Sequence, residues 1–320
     1  MSSTRRFFVD FLVERYAGKT RIIAELQTLV GDDPASRLQF SEEFIGNAAC
    51  KAKEGSSSVL RVNGISLHVE DHGSGKPVLL LHGWPDSSYL WRHQIPFLVA
   101  NGFRAIAPDL RGFGRSDRPE GVAAYSLLNA VADAVGILDA LGIDAADIVA
   151  HDWGAGVAWL TATGRPNRVR RLVVLSVPHP LAPYTLRQRE MAWYQLFFQF
   201  EGIAEAWLQH DNWALFREML RGNGDVDRYI SDLSRPDALK ASLNWYRANL
   251  APRLPKSPPK LPPVEAPTLG IWSSNDHYLD GERMKISGRF VKGPWRYEPD
   301  RRRQPLDSTG RARPAEPAPP

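Results

Sequence analysis

A short segment near the middle of the chain places an aspartate where a sharp turn is expected. Residues 149–154 (VAHDWG) follow an apolar run and precede a helical pattern. A strand-to-helix turn that doubles back needs small residues two positions before and two after its apex, and Ala150 and Gly154 meet that need. The pattern therefore predicts a nucleophile elbow with Asp152 at its apex. The alternative for Asp152 taken alone is a plain helix N-cap.

The residue type at this turn indicates the chemistry. An aspartate with an ordinary pKa of about 3.9 is ionised at neutral pH, so it needs no base to activate it. A carboxylate nucleophile suits attack on an sp3 carbon, which gives an alkyl ester of Asp152. Water must then hydrolyse that ester, and this step needs hydrogen-bond donors for the oxyanion that develops.

A second segment can supply those donors. Residues 82–85 (HGWP) directly follow another apolar run. We predict that the backbone N–H groups of Trp84 and Trp153 form the oxyanion hole. The side chains of His82, Trp84, Pro85 and Trp153 are expected to line the substrate pocket. The Trp84–Pro85 bond is also a candidate cis peptide.

These segments need a framework, and the apolar pattern predicts one. Unbroken apolar runs suit strands that are covered on both faces, as in a parallel sheet. Between them lie helical patterns, the clearest over residues 127–141 with Gly142 as its stop. Alternating strands and helices predict the α/β class, as a mostly parallel, doubly wound sheet. The predicted strands cover residues 59–62, 65–69, 78–81, 105–107, 148–150, 172–175 and 268–272.

The alternation stops within one long segment. Residues 179–262 are rich in Trp, Phe, Tyr and Leu at helical spacing, contain no strand-like run and end in a proline-rich stretch. An all-helical block between two strands is predicted to form a cap over the carboxyl edge of the sheet, where α/β proteins bind ligands. The alternative is a separate helical domain, but the short flanking segments favour a cap.

The remaining boundaries follow from these assignments. Residues 1–58 form an N-terminal extension of unknown role, residues 59–178 the first part of the core and residues 263–298 its second part. Residues 299–320, rich in Arg, Ala and Pro, form an aberrant tail that we expect to be disordered.

Composition excludes several classes of function. With a length of 320 residues and a net charge of +4, the chain has no basic stripe with interleaved aromatics, so we expect no nucleic-acid partner. No window approaches the roughly 18 apolar residues of a membrane span. The single cysteine, Cys50, excludes internal disulfides and paired-cysteine metal sites. It fits a reducing compartment, and we expect a cytoplasmic protein. We also expect neither a cofactor nor a metal ion.

Taken together, the motifs carry a resemblance to a known family. Residues 82–87 (HGWPDS), 109–116 (DLRGFGRS) and 151–154 (HDWG) resemble the epoxide hydrolase branch of the α/β-hydrolase family. The resemblance extends from about residue 59 to residue 298. It implies a small apolar epoxide as the substrate and a diol as the product.

The resemblance also implies further site residues. An acid that orients a catalytic histidine corresponds to Asp276, just beyond the last predicted strand. Two tyrosines that hydrogen-bond the epoxide oxygen and donate a proton as the ring opens correspond to Tyr194 and Tyr246. A phenol suits this task, since an alkoxide leaving group needs an acid. Packing within the cap is the alternative role for either tyrosine alone.

The catalytic histidine of the family has no counterpart in this chain. It should follow the last strand, in a small-residue turn that ends in His-Trp. The chain has eight histidines, and none follows His277. His277 is adjacent to Asp276 in sequence and cannot simply replace a partner that faces it. Residues from Pro299 onward also carry recurrent prolines, which exclude the expected closing helix.

We infer a frameshift near residue 299. If the codons from Pro299 are written out and the first base is dropped, they can read RIDGASHWIPLDAPDRLNRLL. This string supplies the small-residue turn, the histidine and an amphipathic helix. A naturally divergent tail is the alternative. In either case, the chain as it stands is expected to form the ester but to be impaired in the hydrolysis step.

Two other functions remain open. A haloalkane or haloacid dehalogenase uses the same aspartate chemistry, but halides need N–H donors rather than phenols, so Tyr194 and Tyr246 weigh against it. A non-catalytic ligand-binding protein with a hydrolase fold is supported by the missing histidine. The sequence specifies neither the epoxide nor the oligomeric state.

Overall fold

The structure is a computed structural model that describes residues 55–221, 223–250, 260–273 and 276–300. Most of the predicted N-terminal extension, residues 1–54, lies outside the described residues. Residues 301–320 of the predicted tail lie outside them as well.

One sheet organises the described residues. Its strands are β1 (Ser56–Val62), β2 (Ile65–His72), β3 (Lys76–Leu81), β4 (Phe103–Pro108), β5 (Ala146–His151), β6 (Val169–Leu175), β7 (Thr268–Ser273) and β8 (Trp295–Asp300). They lie in the order β1-β2-β4-β3-β5-β6-β7-β8. β1 and β2 pair antiparallel, as do β2 and β4, and all pairs from β4 to β8 are parallel. The predicted fold class is confirmed.

Each predicted strand lies within an observed one, but the ends differ. β1 begins at Ser56, within the segment that the sequence assigned to the N-terminal extension. Its serines pair with β2, starting at Ser56 opposite Asp71, because backbone hydrogen bonds do not depend on an apolar side chain. The intervening turn, Asn63-Gly64, has positive φ at both residues, 50° and 79°, as a two-residue hairpin requires. β8 was not predicted as a strand, and it continues to Asp300, past the predicted core boundary at residue 298.

Helices cover both faces of the sheet. Those of the core are α1 (Gln94–Ala100), α2 (Leu127–Ala140) and α3 (Trp153–Gly164). α2 ends next to Gly142, whose φ of 65° confirms the predicted stop. The central strand β3 buries Leu79, Leu80 and Leu81 completely between these layers. Each such burial contributes roughly 1.5–3 kcal/mol.

The described part of the segment between β6 and β7 contains helices and no strand, and Val264 makes only an isolated bridge with Val291. The helices are α4 (Leu186–Met191), α5 (Trp193–Phe197), α6 (Ile203–Met219), α7 (Val226–Leu233) and α8 (Ala238–Asn249). We call this segment the helical insertion. α6 is interrupted by non-helical backbone from His210 to Trp213. After β7 the chain continues into α9 (Gly281–Ser287). Among the described helices, none combines the length and the apolar composition that a membrane span requires.

The order of the strands in the sheet reverses at β3. β4 pairs with one edge of β3, and β5 pairs with the other. A crevice at the carboxyl ends of such strands is the usual ligand site of doubly wound sheets. Residue 82 follows β3 at this point and residue 152 follows β5, so the two predicted motifs are neighbours in space.

Candidate active site

The turn after β5 holds Asp152 in an unusual backbone conformation. Asp152 has φ 50° and ψ −124° and precedes the first residue of α3. Its side chain makes no cap hydrogen bond, so the simple N-cap alternative does not describe it. A Cβ on Gly154 would overlap the carbonyl oxygens of Leu81 and His82, so only glycine fits there. The turn is therefore a sharp strand-to-helix elbow with Asp152 at its apex.

Backbone donors converge on that carboxylate. The N–H of Trp84 donates to Oδ1 of Asp152 at 2.7 Å, and the N–H of Trp153 donates to the same side chain. Loss of hydration raises the pKa of Asp152 to about 6, against the lowering effect of these two donors. The repulsion of Asp276 adds to the rise in pKa. Asp152 is thus mostly ionised at neutral pH, although its pKa exceeds the ordinary value.

The loop after β3 contains the predicted cis peptide bond and the predicted pocket residue His82. The Trp84–Pro85 peptide bond is cis, as predicted. His82 is fully buried, and its Nε2 accepts from the N–H of Leu110 at 2.9 Å. Its Nδ1 donates to the carbonyl of Gly83 at 3.0 Å, and burial lowers its pKa. Both ring nitrogens of His82 therefore hold the loop backbone, an arrangement that suits support of the loop rather than contact with a ligand.

The helical insertion brings both predicted tyrosines to this place. Tyr194 on α5 is 7% exposed and Tyr246 on α8 is 2% exposed. Their ring centroids are 5.8 Å apart, and the Tyr246 ring lies 5.0 Å from that of Trp153. Burial and then the charge of Asp152 raise the pKa of both phenols, so they stay protonated. Both are thus neutral hydrogen-bond donors beside Asp152.

Trp84 connects the core to the insertion. Its indole N–H donates to the hydroxyl of Ser242 on α8 at 3.2 Å. Its ring centroid lies 5.2 Å from that of Phe198, 5.6 Å from that of Phe216 and 6.1 Å from that of Tyr246. The surroundings of Asp152 on this side are therefore mainly aromatic.

Asp276 follows β7, as the sequence predicted. Its Oδ1 accepts from the N–H groups of Tyr278 at 2.8 Å and Leu279 at 2.9 Å. Burial raises the pKa of Asp276, and these donors oppose the rise. The neighbouring side chain of His277 is exposed. Two backbone donors thus fix the carboxyl group of Asp276. It lies close enough to Asp152 for the two charges to interact.

Sequence reasoning missed a third tyrosine. The ring of Tyr278 lies 5.1 Å from that of Tyr194, edge to face. Its hydroxyl donates to the carbonyl of Met219 on α6, while its N–H binds Asp276. Tyr278 therefore contacts Asp276, Tyr194 and the helical insertion. Its position two residues after Asp276 was the available signal.

Two further features bear on the chemistry. The indole N–H of Trp153 is buried close to the hydroxyl of Tyr246, and its donation opposes the rise in the pKa of that phenol. Within the residues that the structure describes, no group of three or more His, Cys, Asp and Glu side chains is placed to hold a metal ion.

The geometry can be set beside known proteins. The alpha/beta hydrolase fold family matches residues 76–286. Epoxide hydrolase A of Mycobacterium tuberculosis is 34% identical over 287 residues, covering 73% of this chain and 86% of that protein. The AB hydrolase superfamily protein YfhM of Bacillus subtilis is 34% identical over 245 residues, covering 72% and 85%. A crystal structure of Bacillus megaterium epoxide hydrolase with an inhibitor has a TM-score of 0.68 at 27% identity, covering 76% and 91%.

The eight-stranded, mostly parallel sheet with helices on both faces fits the α/β-hydrolase fold. The chain belongs to the α/β-hydrolase family, in its epoxide hydrolase branch. It is by family an enzyme of the hydrolase type.

Proposed function

We propose that the protein opens a small apolar epoxide by attack of Asp152 and converts it toward a diol through an aspartyl alkyl ester. The observation that carries this proposal is the convergence of the Trp84 N–H, Tyr194 and Tyr246 around one strained aspartate. The helical insertion acts as the cap that supplies the tyrosines. The mainly aromatic surroundings favour an apolar substrate.

In the first step, a carboxylate oxygen of Asp152 forms a bond to an epoxide carbon as the carbon–oxygen bond of the ring breaks. The electron pair of the broken bond remains on the epoxide oxygen. Hydrogen bonds from Tyr194 and Tyr246 stabilise that oxygen, and a phenol proton neutralises it. The pocket for this step is formed by Trp84, Pro85 and Trp153. His82 supports the loop from behind.

In the second step, water adds to the ester carbonyl, and the N–H groups of Trp84 and Trp153 stabilise the oxyanion. The carbonyl re-forms as the bond from its carbon to the alkyl oxygen breaks, and that oxygen takes up the proton that water lost, which releases the diol. The regenerated carboxylic acid of Asp152 then loses its proton, and this proton restores the phenol. Water must lose a proton to a base aligned by Asp276, and the sequence carries no histidine after His277. We propose that a frameshift near residue 299 removed this base. Loss of a catalytic base costs many orders of magnitude in turnover.

The decisive experiment is a mass measurement on the full chain after incubation with styrene oxide. We expect one substrate mass per chain, stable for hours, on the peptide that contains Asp152. Asp152→Ala should abolish this adduct, whereas Asp139→Ala, a surface control on α2, should keep it. An adduct on another residue would contradict the nucleophile assignment. Sustained multiple turnover would contradict the missing-base proposal and would direct attention to His277.

Dehalogenation is the second candidate, and one observation favours it. The buried indole N–H of Trp153, which lies close to the hydroxyl of Tyr246, is a donor of the kind that a leaving halide needs. The two tyrosines favour the epoxide instead, because a halide needs no proton. Release of bromide from a primary bromoalkane, in an amount equal to the protein and faster than styrene oxide labelling, would favour the dehalogenase. A chain that binds both compounds without any adduct would be a non-catalytic binding protein.

A further inference from the structure

The two helices that carry Tyr194 and Tyr246 are joined by hydrogen bonds in both directions. Nε of Arg247 on α8 donates to the carbonyl of Phe198, which directly follows α5, at 3.0 Å. In return, Nε2 of Gln199 donates to the carbonyl of Tyr246 at 3.2 Å. The N–H of Phe198 donates to the carbonyl of Tyr194 at 2.9 Å. Since Arg247 follows Tyr246 in the sequence, a short path of bonds connects the backbones of the two tyrosines.

The side chain of Phe198 packs against both phenols. Its ring centroid lies 5.6 Å from that of Tyr194 and 4.9 Å from that of Tyr246, edge to face in both cases. In a close-packed interior, a shift of Phe198 would therefore displace both tyrosine rings. The bond from Arg247 fixes the backbone of Phe198 at its carbonyl.

Arg247 is a buried cation that two other side chains hold in place. Its side chain is 5% exposed, and Nη1 lies 2.7 Å from Oε1 of Glu205, which is 14% exposed. Nη1 also donates to Oδ1 of Asn244, one turn earlier on α8, at 3.1 Å. Oε2 of Glu205 accepts from the N–H of Gly202 at 2.8 Å, at the beginning of α6. The guanidinium therefore joins α6, α8 and the end of α5.

Stability alone does not explain why this ion pair is buried. The removal of two charges from water offsets most of the free energy that their attraction provides. Nη2 of Arg247 is also buried without a hydrogen-bond partner among the described residues, which adds to the cost. A guanidinium can, however, bind a carbonyl and a carboxylate at once in a fixed geometry. The arrangement therefore suits a group that sets the position of its neighbours.

The helix that carries Arg247 is itself anchored to the core. The indole N–H of Trp245 on α8 donates to the carbonyl of Arg111 at 3.0 Å. Nδ2 of Asn249, at the end of the same helix, donates to the carbonyl of Tyr125 at 2.9 Å. Arg247 thus connects the end of α5 to a helix whose own position the core fixes.

We propose that Arg247 is a positioning residue for epoxide opening, which holds Tyr194 where it and Tyr246 reach the same epoxide oxygen. This inference rests on the function proposed above. Two donors must meet one atom, so a displacement of about 1 Å can slow the step about 100-fold. Attack of Asp152 on a carbon that carries bromide needs no phenol and therefore does not depend on Arg247.

The test compares the labelling of full-length chains by styrene oxide and by a primary bromoalkane. Arg247→Lys keeps the charge beside Glu205, but a single ammonium group cannot reproduce the fork that also binds the Phe198 carbonyl. The maximal rate with styrene oxide should fall about 10–100-fold, and the rate with the bromoalkane should change little. An unchanged styrene oxide rate, or an equal loss with both reagents, would overturn the proposal.

Arg111→Lys is the matched control for a buried arginine. Arg111 is 4% exposed, and its Nη2 lies 2.6 Å from Oδ1 of Asp133. Its Nη1 donates to the carbonyl of Ala124 at 2.6 Å. This variant should lose stability and keep the ratio of the two labelling rates. The same change of ratio in Arg111→Lys as in Arg247→Lys would show that any lost arginine has this effect, which would also overturn the proposal.

A second variant avoids any change of buried charge. Gln199→Met removes the bond to the carbonyl of Tyr246 and should change the ratio of rates in the same direction as Arg247→Lys. It provides the test if Arg247→Lys does not fold, and an unchanged ratio would then contradict the proposal.

Crystal structures of the unmodified chain and of Arg247→Lys provide a measurement that does not depend on any reaction. The ring centroids of Tyr194 and Tyr246, 5.8 Å apart in the unmodified chain, should lie about 1 Å further apart in the variant. An unchanged separation would overturn the role of Arg247. If the unmodified chain forms no adduct with styrene oxide, the function proposed above fails, and the separation of the rings alone decides whether Arg247 positions Tyr194.

Discussion

The N–H of Trp84 donates to Oδ1 of Asp152 at 2.7 Å, which joins the carboxyl ends of β3 and β5. A carboxylate oxygen that accepts such a bond is a weaker nucleophile, so we expect Oδ2 to attack. Oδ1 then becomes the carbonyl oxygen of the ester. Negative charge develops on that same oxygen when water adds, so the donor needs no movement between the two steps.

The pKa of Asp152 predicts the pH dependence of labelling. Because only the ionised carboxylate attacks, the rate of adduct formation should fall as the pH drops through about 6. Repulsion from Asp276 contributes to this raised pKa, so Asp276→Asn should move the midpoint to lower pH. Labelling rates of both chains from pH 4 to pH 9, by mass spectrometry, provide the test. A common midpoint near the ordinary aspartate value would contradict this electrostatic description.

The same shift predicts an effect on stability. A carboxyl whose pKa is raised by folding stabilises the folded state below its unfolded pKa, and this contribution is lost as the pH rises through the folded pKa of about 6. Asp152→Asn should therefore be more stable than the unmodified chain at pH 7, with little difference at pH 4. Urea unfolding at both pH values measures this. An equal or lower stability of Asp152→Asn at pH 7 would show that ionisation of Asp152 carries no cost.

Much of this framework could be predicted from sequence, because its signals are local. The apolar runs at residues 78–81 and 148–150 lie in β3 and β5, and the small residues around Asp152 indicated its turn. The role of His82 could not be predicted from neighbouring residues. Its ring nitrogens bind the backbone of Gly83 and Leu110, and the bond to Leu110 forms only in the folded sheet. Tyr278 was missed for the same reason, since its contact with Tyr194 joins distant segments.

The two tyrosines predict a difference between substrates. Tyr194→Phe and Tyr246→Phe should each slow adduct formation with styrene oxide about 100-fold, within the usual range for a lost general acid. Reaction with a primary bromoalkane should change little, because bromide leaves without a proton. Tyr89→Phe, which alters an exposed tyrosine, is the control. Equal losses with both reagents would mean that the tyrosines act only by packing.

The inferred frameshift predicts a difference in stability. Leu269 and Ile271 of β7 pack beside Val173 and Leu175 on the sheet face that carries α1, and both are only partly buried. The apolar helix of the shifted frame should cover them, at about 1.5–3 kcal/mol for each large side chain. The unmodified chain should melt below about 60 °C, and the restored chain should melt about 2–4 °C higher per kcal/mol gained. Calorimetry of both chains, with the gene resequenced around codon 299, tests this. Equal melting temperatures would contradict the assigned role of the helix.

Tyr278 links Asp276 to the helical insertion through two different groups. Its N–H donates to Asp276, and its hydroxyl donates to Met219. Tyr278→Phe removes only the hydroxyl bond to Met219 and should cost about 0.5–1.5 kcal/mol of unfolding free energy. It should also slow adduct formation, since Tyr194 packs against a ring that is then less firmly held. Tyr125→Phe is the matched control, because Tyr125 is a buried phenol that donates to the carbonyl of Pro119 at 2.8 Å. It should lose similar stability and keep its labelling rate. If both variants lose stability and neither loses rate, Tyr278 supports only the fold, and the position of Tyr194 is fixed by the insertion alone.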